Sequence, residues 1–123
     1  MKQLQNKTFY FYLISSIFWF ILVVYLLMFY NSKSIDVPLN SFDKIIHFTL
    51  FFIQSYLITR TYFSIYHYNK SLKRIIIFLF IISCSLEILQ IYISYRTFDF
   101  YDLFANIFGT LFGSIFAYFL VSK

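Results

Sequence analysis

Residues 75–95, IIIFLFIISCSLEILQIYISY, decide how this chain is built. At roughly 20 residues the stretch is long enough to cross a hydrocarbon layer of about 30 Å as a helix. It also carries Glu87, a carboxylate that would cost several kcal/mol if left unpaired in lipid. One segment therefore points both to a membrane span and to the first place to look for function. Gln90 follows about one helical turn later on the same face.

Working outward, the 123 residues are 61% hydrophobic and only 12% charged, with mean hydropathy +0.75. That is too apolar for a soluble domain of this size. The aromatic share of 26%, with only two glycines and one proline, suits packed helices. A membrane β-barrel would instead show short alternating segments between turns, and there are none. Four apolar runs, approximately 9–30, 45–66, 75–95 and 103–121, each approach spanning length. The first follows Lys2 and Lys7 as a signal peptide would, but it is too long and lacks a small-residue cleavage site, so it reads as a retained span. The expected fold is all-α: a polytopic, four-transmembrane-helix antiparallel bundle in one domain over 1–123, its helices joined by short connections.

The basic residues orient this bundle. With the N-terminus inside, Lys2, Lys7, Arg60, Lys70, Lys73, Arg74 and Lys123 fall on the cytoplasmic side, and only Lys33, Lys44 and Arg96 outside. Both termini are expected in the cytoplasm. The net charge of +5 is then a topology signal and a contact with anionic lipid; no patterned basic patch argues for nucleic acid. Arg60, 17 residues after Asp43 and so about 25 Å along a helix, reaches the inner edge and snorkels. His67 lies beyond it as an interfacial residue. Cys84, the one cysteine, has no disulfide partner and reads as packing. The connection 31–44 holds Pro38 and ends in Asn40-Ser41-Phe42-Asp43, a helix cap with an acid in its first turn.

With this orientation the polar residues gather on the outer side. Asp43, Lys44 and His47 open the second span; Glu87 and Gln90 lie in the outer half of the third; Arg96, Asp99 and Asp102 fill the next loop; Asn106 opens the fourth. Asp43 and His47, and likewise Asp102 and Asn106, are four apart and share a helix face. If the faces meet, His47 can pair with Glu87 or Asp102, and Arg96 with Asp99 or Asp102. Depth stands against direct contact. Glu87 lies eight residues below Tyr95, about 12 Å down, but His47 and Asn106 only about 5 to 6 Å below their helix starts. Helix tilt, water in an outward cavity, or Gln90 as a bridge would each close the gap. Read singly, Asp43 and Asp102 are equally helix N-terminal charges, Lys44 and Arg96 interface anchors, and Asn106 an interhelical hydrogen bond.

Ala105, Gly109, Gly113 and Ala117 form a ladder of small residues on the fourth span, a seam for close helix packing within the chain or between two copies. No metal centre and no cofactor are expected: one outer histidine with several carboxylates is a weak signal, without a histidine pair at helical spacing or an HExxH motif. Ser85 and Ser94 lie near Glu87 without a nucleophile-elbow motif, so catalytic residues cannot be assigned.

The motifs Asp43-Lys44-Ile45-Ile46-His47-Phe48, Glu87-Ile88-Leu89-Gln90, and Arg96 followed by Asp102-Leu103-Phe104-Ala105-Asn106-Ile107-Phe108-Gly109 and Gly113 resemble the VanZ-like small membrane proteins. The resemblance runs from Asp43 to the end, the first span matching only in being hydrophobic. It departs at Ile93-Ser94-Tyr95, where relatives often have Pro-Gly, and Asp99 stands at a variable position. It implies a four-helix, multi-pass protein of the bacterial cell membrane, in a family whose named member is associated with low-level resistance to the glycopeptide teicoplanin. Two functions follow as expectations. One is a non-enzymatic envelope protein binding a cell-surface or lipid-linked ligand through Asp43, Lys44, His47, Glu87, Gln90, Arg96, Asp102 and Asn106. The other is an enzyme acting on a lipid or cell-wall precursor by His/Glu acid–base chemistry. A proton-coupled transporter has less support, since unbroken spans give little pathway. Expected partners are membrane lipid, such a ligand, and a second copy through the fourth helix.

Overall fold

The computed structural model describes residues 2–29, 40–66, 72–93 and 98–121. All regular structure among them is helical: α1 (Lys2–Phe29), α2 (Asn40–Phe63), α3 (Leu72–Ile93) and α4 (Phe100–Val121). Each helix covers most of one apolar run and begins several residues before it. In α4 the opening turn is held by Asp99, whose Oδ1 accepts from the Tyr101 amide at 2.8 Å, an Asx cap that satisfies one of the free amides of a helix start. Arg96, His67, Pro38, Lys33, Lys70, Tyr95, Ser94 and the pairing of Arg96 with either aspartate lie outside the described residues.

Three helices are long and apolar enough to cross a membrane: Gln5–Phe29, Leu72–Ile93 and Phe100–Val121. α2 equals them in length, but it carries Asp43, Lys44, His47, Gln54, Ser55, Thr59 and Arg60. Those residues explain its lower hydropathy and also its place. His47, Gln54, Ser55 and Thr59 are buried against the other helices, so α2 is the polar centre of an otherwise apolar assembly.

The interior is more polar than the surface. Ser16, Gln54, Ser55, Thr59, Ser83, Thr110 and Ser114 are buried, while Phe11, Phe18, Phe29, Tyr92, Phe100 and Tyr101 are each more than 60% exposed. In water this distribution would be inverted; in lipid it is the low-energy one, because polar side chains find partners only inside. The apolar core, Val23, Leu27, Met28, Leu50, Phe51 and Leu86, joins α1, α2 and α3, and its α2 and α3 members lie within about a turn of His47 and Glu87 in sequence.

α2 and α4 form the closest pair, and they run the same way: His47 meets Asn106, Ser55 meets Gly109, Thr59 meets Ser114 and Phe63 meets Tyr118. The small-residue seam permits this. A Cβ on Gly109 would fall on the Phe48 carbonyl oxygen, and one on Gly113 on the Phe52 carbonyl and the Ser55 hydroxyl. Gly109 and Gly113 are thus buried against α2 of the same chain, and Ala117 is buried as well. α1 is tied to α2 by Trp19 Nε1 donating to the Leu50 carbonyl at 3.0 Å and by Gln54 Nε2 donating to Ser16 Oγ at 3.1 Å. Arg60 lies over the Tyr12 ring, 4.9 Å from its centroid, a cation–π seat for the charge expected to snorkel there.

Replacing Gly109 with Val should overpack the α2–α4 contact and cost about 1–3 kcal/mol, read as a lower midpoint of thermal unfolding in detergent. Phe108→Leu, next door on the exposed face, should leave the midpoint nearly unchanged; equal losses would contradict the seam.

Candidate functional site

Glu87, His47, Asn106 and Asp102 converge where α2 and α4 begin and α3 ends. The depth mismatch expected from the apolar runs disappears once the helix limits are known. His47 lies seven residues into α2, Asn106 six into α4, and Glu87 six before the end of α3, which puts all three about 9 to 10 Å from those ends. α2 and α4 begin at Asn40 and Phe100, earlier than the helix starts expected from the sequence.

Asn106 is the joint. Its Nδ2 donates to Glu87 Oε1 at 3.0 Å, and its Oδ1 lies 3.0 Å from His47 Nδ1. Because the amide nitrogen is committed to the carboxylate, its oxygen must accept, and the donor is the Nδ1–H of His47. Glu87 Oε1 is also 3.4 Å from His47 Nδ1. On the far edge of the ring, Nε2 lies 3.7 Å from Asp102 Oδ2. His47 and Asn106 are fully buried, Glu87 is 2% exposed and Asp102 4%. Together these partners offset the cost of bringing the carboxylates out of water.

The remaining site residues separate. Gln90 is buried, but its Nε2 donates to the Leu27 carbonyl of α1 at 3.0 Å. That carbonyl belongs to the last turn of α1, so Gln90 fastens α1 to α3 rather than bridging Glu87 to His47. Lys44 lies over the Tyr101 ring, 5.5 Å from its centroid. Asp43 is half-buried, and one oxygen each of Asp43 and Asp102 with one imidazole nitrogen of His47 come within 4.8 Å of one another, close enough for one ion. The sequence carried only a weak signal of this, because it takes contact between the first turns of α2 and α4 to bring the two aspartates together.

A polar stripe also escaped the reading of the sequence. Asp102, Asn106, Thr110 and Ser114 recur every fourth residue and are all buried, beside the glycine seam. Ser83 stands one turn from Glu87 on α3, and Thr59 Oγ1 lies 3.4 Å from Ser114 Oγ. The stripe carries the polar cluster about 18 Å down the bundle axis. Its four-residue period was visible in the sequence, overshadowed by the small-residue ladder one position away.

Fold and site together define a helical membrane protein with a buried histidine–amide–carboxylate centre at one end of its helices. The family model described as VanZ/LLP1 matches residues 2–121, and the chain belongs to this family. The match includes α1, which extends the resemblance beyond the region from Asp43 onward. No curated protein and no solved structure is significantly similar to it.

Asn106→Ala should remove both of its hydrogen bonds and leave buried partners unsatisfied, a loss of about 1–3 kcal/mol. Gln90→Ala should cost less, about 0.6 kcal/mol for one interhelical bond. Unfolding in mixed micelles measures both, and a larger loss at Gln90 would make α1 docking, not the centre, the main polar tie.

Proposed function

We propose that the protein spans the bacterial cell membrane four times as an antiparallel bundle, with both termini in the cytoplasm. The centre built on His47, Glu87, Asp102 and Asn106, with Asp43 and Lys44 at its lip, faces outward and takes a cell-surface or lipid-linked ligand. Through that ligand it modulates susceptibility to glycopeptides of the teicoplanin type. The observation that carries this reading is the concentration of buried ionisable groups at one end of the helices, His47 with Glu87 at 3.4 Å and Asp102 at 3.7 Å. Intramembrane charge of this kind is costly and marks function by default. Lys7, Arg60, Lys73 and Arg74 belong to the opposite helix ends, as cytoplasmic residues do.

The imidazole between two carboxylates favours one second reading, a membrane enzyme that uses His47 and Glu87 for proton transfer on a lipid-linked or cell-wall precursor. Incubating the purified protein with such precursors and following them by mass spectrometry separates the two: the enzyme yields a product, the binding protein none.

In cells expressing the protein, Glu87→Gln and His47→Ala should each abolish any glycopeptide phenotype while the chain still inserts at normal levels. Full retention by both variants would dismiss the site. Orientation is checked in a Cys84→Ser background with a membrane-impermeant maleimide. Phe100→Cys should label in intact cells and Lys73→Cys only after lysis; the reverse pattern would place the centre on the inner side.

A further inference from the structure

We propose that an apolar cleft between α1, α2 and α3 takes a neutral, membrane-dissolved phenol or quinol, a flat ring that bears a hydroxyl and an apolar tail. The cleft has a volume of about 490 Å3, within the roughly 300–1,000 Å3 of small-molecule sites. Among the described residues its lining is apolar but for Ser16, Gln54, Thr61 and two tyrosines. The apolar core closes its outer end, with Leu50 one turn before Gln54 on α2 and Leu86 one turn after Ile82 on α3. The cleft is therefore separate from the histidine centre, and it stands whatever ligand that centre takes.

Gln54 supplies an independent observation. It is 2% exposed, and its Nε2 donates to Ser16 Oγ at 3.1 Å. Oε1, at the other end of the same carboxamide, is buried without a hydrogen-bond partner. A buried carbonyl oxygen is expensive to leave without a donor, and the bilayer interior has no water to provide one. Thr61 makes no such demand, because its hydroxyl donates to the Leu57 carbonyl at 2.8 Å. The cleft thus asks its occupant for one hydrogen-bond donor at Gln54.

Depth and shape narrow the occupant. Gln54 lies 14 residues from the start of α2 and nine from its end, and Ser16 lies 14 and 13 residues from the ends of α1. In the four-span arrangement proposed above, both stand near the middle of a hydrocarbon layer of about 30 Å, beyond the reach of lipid phosphates and glycerols. An acyl chain fits there but has no donor, and a charged donor is costly at that depth. A neutral hydroxyl on an apolar body meets both limits. The rings of Phe9, Phe20, Tyr62, Tyr66 and Phe78 line the cleft and suit a ring better than a linear alcohol, since ring pairs gain from offset and edge contacts beyond the area they bury. Ile17, Ile21 and Phe78 are more than half exposed, so the occupant enters sideways from the lipid between α1 and α3.

The test uses the full chain in phospholipid nanodiscs and two radiolabelled probes that differ at the donor, para-dodecylphenol and its methyl ether, with binding to empty nanodiscs subtracted. The wild type should bind one phenol per chain saturably and the ether about tenfold more weakly, the change that one hydrogen bond brings. Gln54→Leu should remove this preference and bind both probes as the wild type binds the ether. Ile17→Trp, which fills the cleft from its exposed side, should abolish saturable binding of both. Phe104→Leu, on the exposed face of α4, should bind both as the wild type does. The comparison of probes on the wild type does not depend on the folding of any variant, and circular dichroism confirms the helices of each. Equal wild-type affinity for phenol and ether would overturn the site, as would a preference that survives Gln54→Leu or binding unmoved by Ile17→Trp. Absence of saturable phenol binding would overturn it too, and would leave the cleft to phospholipid acyl chains.

Discussion

Everything at the polar end of the bundle depends on one carboxamide. Asn106 stands between an acid and an imidazole from two other helices, and a single group that is donor at one end and acceptor at the other settles both. Removing its directionality would leave Glu87 and His47 to arrange themselves by charge alone. With it, α2, α3 and α4 are locked at one depth, and the protonated nitrogen of His47 is decided by Glu87, whose own carboxylate is a helix away. In lipid such a chain is worth building because the groups have no water to fall back on.

That constraint explains the inversion of the rest of the molecule. The centre fills the interior with polar atoms, so the helices that enclose it must present apolar surface to the membrane, and they do so with aromatic side chains. α2 contributes His47, Gln54, Ser55 and Thr59 to the interior, which is why it falls below the hydropathy of its neighbours although it is enclosed by them.

Much of this was legible in the chain. The four helices follow from run length and from the cost of unsatisfied backbone in lipid, and Glu87 announced the site because a carboxylate in such a run needs a reason. The partners His47, Asp102 and Asn106 were legible from their common side and from i,i+4 spacing. The contact between Glu87 and His47 was not, because the starts expected for the second and fourth helices fell after Asn40 and Phe100, where α2 and α4 begin. Gln90 shared a face with Glu87 by spacing alone, and only the end of α1 shows that its partner is the backbone carbonyl of Leu27. The buried hydroxyls of Thr110 and Ser114 were hidden by ordinary chemistry: threonine and serine in a membrane helix carry no signal until their period is set beside that of a neighbouring acid and amide.

The absence of side chains between α2 and α4 at Gly109 and Gly113 has a mechanical consequence. Backbones in direct contact along two turns cannot slide or rotate independently without collision, so these helices behave as a single rod carrying Asp43, His47, Asp102 and Asn106 as fixed fittings. α3 holds to that rod at the polar end through Glu87 and the Asn106 amide, and α1 holds to α3 through Gln90. α1 is also held to the rod itself, through Trp19 and Ser16, so a displacement of Glu87 from the imidazole needs α3 to move against both of its neighbours.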